Sequence, residues 1–326
     1  MLPVSSTSAS APVEGSSGFA FGAPTTSPEY ACFSHKDKKE RWQKWGQGPR
    51  LLTTCLPLVQ GGRVSSDEED SAFLLDFFNS PHLRALLHPL TAKGTPTTLK
   101  GAVTRVDFSR LSVACTSLSL FDALIPSVLG VSERQVAVAG AGGGGGSSPA
   151  AAPAAAVVWI RRRLEEPWEG VTIADNLREA LVLPPEGDPE GVDPSGSAEC
   201  LQQPNRFTSL FSQAQRREFL WRAAKFVVCG GPMSQHEDEW TPYAAAIKDI
   251  ARDFLTVVKG KDGGVSVATV VWQVRGLEGL EREGGESMEG GGGLFAADSP
   301  HNVCWVFYDP IHRCCHILHS SFVPFW

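Results

Sequence analysis

The densest set of chemically competent side chains in this sequence lies near its C-terminus: His301, Cys304, His312, Cys314, Cys315, His316 and His319. Successive side chains on a β-strand alternate between faces, so a strand here would put His312, Cys314 and His316 on one face. That face would offer two imidazoles and a thiolate to a metal ion. Against this, tetrahedral zinc sites usually draw on ligand pairs spaced across a tight knuckle, and no C-x-x-C pair occurs in the chain. Neighbouring ligands on one flat strand also converge poorly on a single ion. The sequence therefore predicts a half-buried hairpin with polar edge residues, no metal and no cofactor.

Other candidate chemistry dissolves on the same kind of inspection. Gly140, Gly142 and Gly145 satisfy G-x-G-x-x-G after the strand-like Val136-Ala137-Val138. In a dinucleotide site such glycines bring backbone amides to a pyrophosphate at a helix N-terminus. Here they belong to a glycine run broken only by Ala141 and followed by Ser-Ser-Pro-Ala-Ala-Ala-Pro, which starts no helix. Asp309 with His312, or His236 with Asp238, can be drawn as acid–base pairs, and Cys229 as a nucleophile. None sits in a nucleophile elbow or a local Cys/His signature, so the sequence points away from an enzyme. Ser65-Ser66-Asp67-Glu68-Glu69-Asp70 reads either as a phosphate acceptor or as a capped helix entrance, and capping chemistry favours the second.

Composition sets the wider limits. The chain has 326 residues, a formal net charge of −7 and 42% hydrophobic residues, enough for a sizeable core. An acidic balance without a basic face argues against a nucleic-acid partner, and Arg161-Arg162-Arg163 is offset at once by Glu165 and Glu166. The eight cysteines are scattered, as befits a reducing compartment. No apolar run is long enough to span a bilayer, and the N-terminus lacks both a secretory apolar segment and the arginines of a transit peptide. The expectation is a soluble intracellular protein with neither membrane nor nucleic-acid partners.

The elements that must position these residues are separated by low-complexity stretches. Residues 1–28 read as a disordered tail, and residues 29–326 as one globular α+β domain. Flexible loops at 140–156, 184–204 and 276–300 interrupt that domain. A helical segment around Trp42 and Trp45 precedes a strand over 50–59. Ser66 and Asp67 cap a helix carrying Phe73, Leu74, Phe77 and Phe78. Thr104 to Leu111 alternates as a strand, Thr116 to Leu129 reads as a helix broken by Pro126, and Leu177 to Leu183 as a short helix. Ser212 and Gln215 have capping-box spacing for a helix running through Phe219, Leu220, Ala223, Phe226 and Val227. Gly230-Gly231-Pro232 ends it. Thr241 caps the next helix with Pro242 in its first turn, and Tyr243, Ile247, Ile250, Phe254 and Val257 form its apolar face. Val265 to Val274 is a strand, and Val303 to Tyr308, Asp309-Pro310 and Ile311 to Phe322 make a hairpin. Helices packed on a small antiparallel sheet, with long disordered insertions, follow from this order.

The C-terminal elements carry a resemblance. Phe211-Ser212-Gln213, Gly230-Gly231, Gln235-x-Glu237-Asp238 and Pro242-Tyr243 resemble the central signature of the cilia- and flagella-associated protein 300 family. The hairpin around Asp309-Pro310-Ile311, with Arg313 and His316, is similar to that family's closing segment. Ser71 to Leu87, Cys115-Thr116-x-Leu118-Ser119 and Asp175 to Leu183 follow the family's order upstream. The tail and the three insertions depart from the family, as does the overall histidine and cysteine pattern near the end.

The resemblance implies a non-enzymatic cytoplasmic protein that also enters the cilium or flagellum and supports outer and inner axonemal dynein arms. Its implied partners are dynein assembly factors, dynein subunits and the intraflagellar transport machinery. No catalytic residues carry over. The polar connector Gln235, Glu237, Asp238, Pro242 and Tyr243 is the candidate partner-facing patch, unless helix-ending rules alone shape it. The alternative role is a metal-stabilised structural component of the axoneme.

Both the 140–156 and 276–300 insertions are expected to contribute little to stability, because loop-closure entropy varies slowly with length. Excising residues 140–156 should shift the unfolding free energy by less than about 0.6 kcal/mol. Differential scanning calorimetry checks this, and a large fall in Tm would place the segment in the core.

Overall fold

In a computed structural model, the chain is described at residues 18–24, 30–47, 51–91, 94–124, 128, 132–136, 156–160, 167–168, 171–181, 207, 209–231, 234–235, 237, 239–261, 263–282, 293–296, 299 and 301–323. The main elements in chain order are strand β1 (Ala20–Phe21), helix α1 (Lys36–Lys44), strand β2 (Leu51–Gln60), helix α2 (Asp67–Asn79) and strand β3 (Arg105–Leu111). Helices α3 (Ile173–Leu181), α4 (Phe219–Cys229) and α5 (Trp240–Phe254) follow. Strands β4 (Val270–Glu278), β5 (Val303–Asp309) and β6 (Cys314–Ser320) close the sequence of elements. Six strands form one antiparallel sheet in the order β1-β2-β6-β5-β4-β3.

The sheet is covered on both faces. Every residue of β5 is buried. Its Val303, Trp305 and Phe307 enter a cluster with α1, α3, α4 and α5. Its Cys304, Val306 and Tyr308 enter a second cluster with α2. Phe219 and Phe226 of α4 meet Trp305 with ring centroids 5.2 and 5.5 Å apart, and Phe254 of α5 meets Phe307 at 4.6 Å. On the other face Phe73 lies 5.3 Å from Trp272 and 5.0 Å from Tyr308. Each such pair adds roughly 0.5–1.5 kcal/mol beyond area burial, so aromatic packing rather than strand propensity decides how the layers seat.

The α+β architecture with an antiparallel sheet stands, and several local expectations are corrected. The C-terminal hairpin is central, because β6 is flanked by β2 as well as β5, and the two helical layers bury it on both faces except at Cys314 and His316, which are partly buried. The tail is not structureless throughout 1–28: Ala20–Phe21 pairs with β2, and Phe21 packs edge-on against Phe73 and Phe77. The 276–300 stretch is not a simple loop either. β4 runs to Glu278, Glu281–Arg282 pairs with Leu99–Lys100, and Leu277, Leu294 and Phe295 are buried. Deletions there remove core side chains, so neutrality is no longer expected. Residues 140–155 and 184–204, with the G-x-G-x-x-G glycines, lie outside the described residues.

Tertiary contacts also move boundaries. The Ser212–Gln215 capping box forms, but its helix ends after Arg216. Glu218 becomes extended, bridges Ser112, and accepts hydrogen bonds from the Ser112 hydroxyl and the Cys115 amide. Helix α5 starts at Trp240 with Glu239 as its cap, not at Thr241. Trp240 is drawn into the core against Phe121, centroid to centroid 5.6 Å. Val257 leaves the helix face for a short ribbon in which Val257–Lys259 pairs with Val265–Val267, so Val265 to Val274 is two strands rather than one. Where a helix over Thr116 to Leu129 was expected, Leu118–Phe121 is a 3-10 turn. No helix among the described residues is long and apolar enough to cross a membrane.

His319 of β6 reports on the second core. It is buried, stacks on Phe295 at 5.5 Å, and its Nε2–H donates to the Leu294 carbonyl at 3.2 Å. Burial pushes its pKa from 6.5 down to about 4. A depressed histidine keeps the native state neutral while the unfolded chain takes up a proton. Its contribution is therefore whole above about pH 6.5 and is lost as pH falls toward about 4, on the order of 2–4 kcal/mol in all. Urea unfolding of the wild type across that window should show this slope, and His319→Gln should flatten it.

Candidate functional site

The predicted connector is built around Trp45, the residue that ends α1. Trp45 is fully buried and stacks on Tyr243 of α5, ring centroids 5.1 Å apart. Its indole Nε1–H donates to Glu237 Oε1 at 2.9 Å, while Lys44 Nζ pairs with Glu237 Oε2 at 2.9 Å. The Glu237 amide donates to the Tyr243 hydroxyl oxygen at 3.1 Å, and the Gln235 amide to the Lys44 carbonyl at 3.0 Å. Burial raises the Tyr243 phenol above its usual pKa.

The glycine pair makes this docking possible. Gly230 has φ +63, and the Gly231 amide donates to the Trp45 carbonyl at 2.7 Å. A Cβ on Gly231 would stand 2.2 Å from the Gly46 carbonyl oxygen, inside hard contact. Of the five connector residues, the structure thus brings Glu237 and Tyr243 together inside a clamp on Trp45. Gln235 is exposed, Pro242 is half-buried in the first turn of α5, and Asp238 lies outside the described residues, as does His236.

The C-terminal histidines and cysteines disperse. Cys304, Cys315 and His319 face the second core. His301 stacks on Phe322 and meets the Gly230 carbonyl at 2.9 Å and Cys229 Sγ at 3.0 Å. Burial pushes the Cys229 thiol up to about 11, unlike an activated nucleophile. Asp309 and His312 do pair, Oδ2 to Nδ1 2.6 Å, but in a turn. Asp309 Oδ1 accepts from the Ile311 and His312 amides at 2.8 and 3.0 Å, and Oδ2 from the Thr256 hydroxyl. Burial would raise the Asp309 carboxyl. The hydrogen bonds from Thr256, His312 and the backbone outweigh it and hold the group below its ordinary pKa. This carboxylate staples the hairpin turn.

Two of the seven stay together and gain a third. Cys314 and His316 share the α1/α5 face of β6, and His316 pairs across the ladder with Cys55 of β2. His316 Nε2 lies 3.3 Å from Cys314 Sγ and 3.9 Å from Cys55 Sγ. The three candidate ligand atoms fall within 4.8 Å of one another. Tyr30, stacked on Phe254 at 4.6 Å, places its hydroxyl 2.8 Å from His316 Nδ1. Hydrogen bonds with Cys55 and then His316 outweigh burial and hold the Cys314 thiol below its ordinary pKa, while the Cys55 thiol is raised. Sequence reasoning missed Cys55 because it lies 261 residues before His316. Its side of an alternating strand was legible; its neighbour strand was not.

At the acidic stretch the capped entrance is what forms. The Glu69 amide donates to Ser66 Oγ at 3.2 Å, and Glu69 Oε2 accepts from the amides of Ser65 and Ser66 and from the Ser65 hydroxyl. A concavity lined by Gly46, Gln47, Gly230, Gly231, His301 and Ser320, among others, has a cavity volume of about 10 Å³, room for a single water. That is below the roughly 300–1,000 Å³ of ordinary ligand pockets.

An antiparallel sheet wrapped by helices on both faces, with a tryptophan clamp tying the N-terminal helix to the α4–α5 connector, is the class of structure these residues define. The profile of the family described as cilia- and flagella-associated protein 300 matches residues 21–188 and 200–320, and the chain belongs to that family. It is 25% identical to a Chlamydomonas reinhardtii protein named cilia- and flagella-associated protein 300, over 93% of this chain and 98% of that protein. A Paramecium tetraurelia protein of the same name is 24% identical over 92% of this chain and 96% of its own length. No solved structure matches the chain.

The clamp separates structural from surface roles. Glu237→Ala strands the buried Trp45 indole N–H and should cost about 1–3 kcal/mol of stability. Gln235→Ala, at an exposed position, should stay within about 0.5 kcal/mol. Chemical denaturation of the two variants checks this, and equal effects would refute the clamp.

Proposed function

We propose that this chain is a non-catalytic cilium- and flagellum-associated factor that supports assembly or delivery of outer and inner axonemal dynein arms. The observation that carries this reading is the family match across nearly the whole chain, together with relatives of matching length named for cilia and flagella. The scarcity of enclosed space in the cavity at Gly230 and Gly231, and the use of Asp309 and His312 as a turn staple, fit a protein that works through surfaces rather than turnover. The protein resides in the cytoplasm with a ciliary pool. Its partners are other dynein assembly factors, dynein subunits or the intraflagellar transport machinery.

A second reading, a metal-stabilised structural component of the axoneme, is favoured by the convergence of Cys55, Cys314 and His316. Extraction separates the two: an assembly factor leaves cilia with detergent, while a built-in part resists salt. The main test is electron microscopy of axonemes from cells lacking the protein. Cilia should form but beat poorly, with both outer and inner arms missing. Full sets of both arms with normal beating would overturn the proposal.

A further inference from the structure

We infer that Cys55, Cys314 and His316 form a binding site for a zinc-class divalent ion, with Tyr30 orienting the histidine and a fourth position left to water. The two thiols and one imidazole are the donor set that zinc prefers and that magnesium or calcium does not. Around a tetrahedral ion with ordinary zinc–sulfur and zinc–nitrogen bonds, sulfur and nitrogen ligands stand about 3.6 Å apart. The two sulfur–nitrogen separations here, 3.3 and 3.9 Å, bracket that edge.

Convergence comes from the ladder. Cys314 and His316, two residues apart on one strand, approach to 3.3 Å, and Cys55 reaches the same point from the neighbouring strand, directly opposite His316. Both strands are held by continuous antiparallel pairing, so the ligands are fixed before any ion arrives. With an ion on Nε2, Nδ1 must carry the proton and donate it to the Tyr30 hydroxyl oxygen 2.8 Å away. That is the outer contact metal-bound histidines require. Asp309, paired with Cys314 across the hairpin, adds negative charge beside the two sulfurs that a cation would neutralise. All three ligand residues are partly rather than fully buried, so water can reach the fourth position.

The test uses the full-length protein, stripped with a chelator under reductant and titrated with cobalt(II) alone. One equivalent should bind with sulfur-to-cobalt charge-transfer absorption and tetrahedral d–d bands, both removed when zinc is added. Cys55→Ser and Cys314→Ser should each abolish the charge-transfer pattern of the paired thiolates. Cys115→Ser should keep it, and Tyr30→Phe should weaken binding by about 10-fold or more. A readout independent of variant folding is alkylation of the wild type: zinc should protect Cys55 and Cys314 in peptide mass spectra. Cobalt binding without thiolate bands, bands that persist in a folded Cys55→Ser variant, or equal alkylation with and without zinc would overturn the site. So would a Cys55–Cys314 disulfide recovered from protein kept under reductant.

Discussion

Burial of β5 on both faces is the constraint on which the rest of the fold depends. A strand with no solvent face must find apolar cover on each side, so Val303, Trp305 and Phe307 require one helical layer and Cys304, Val306 and Tyr308 require another. Antiparallel sheets commonly leave one face to water. Here Trp305 and Phe307 receive Phe219, Phe226 and Phe254 from α4 and α5, while Tyr308 receives Phe73 from α2. Each layer mixes distant sequence: Tyr30, Trp42 and Trp45 join α4 and α5 on one face, and Phe21 and α2 join Leu294 and Phe295 on the other, which makes the strand the meeting point of N- and C-terminal sequence.

The Trp45 clamp extends that logic to the surface. A fully buried indole needs an acceptor for its N–H, because an unmade hydrogen bond in the interior is costly. Glu237 supplies it, and so the connector between α4 and α5 is drawn onto the end of α1. Close passage of two backbones then excludes any side chain at Gly231, and the glycine pair serves tertiary contact as well as helix termination. Polar residues that look like an exposed patch in sequence are in part internal fasteners. Of these residues Gln235 stays exposed, while Glu237 and Tyr243 are committed inward.

Cysteine and histidine chemistry follows the same division between faces. Parity along β6 sends Cys315 and His319 into the second core, where burial favours a neutral thiol and a neutral imidazole. It sends Cys314 and His316 to the other face, beside Cys55 and under Tyr30. One residue of register would exchange the two sets. The hairpin turn, held by Asp309 through Thr256, His312 and two backbone amides, fixes that register and hence which histidines can do chemistry.

Local sequence by itself determined the antiparallel hairpin, the Ser66–Glu69 and Ser212–Gln215 capping boxes, the ends of α4 at Gly230-Gly231, and the core faces of α2, α4 and α5. Each is set by chemistry within a few residues: a hydroxyl three positions from an acceptor, a glycine free to take φ +63, an apolar stripe at helical period. The family signature was legible for the same reason, since its matched residues sit at these local punctuation points. What only the tertiary structure decided depends on which distant segments meet. It broke the helix at Glu218 to reach Ser112, recruited Phe21 and Leu294 from stretches that read as loops, and turned Glu237 inward to Trp45. It also set Cys55 opposite His316. Strand order and register come from the pairing of whole faces across the sheet, a contest of buried area and packing that no short window of residues contains.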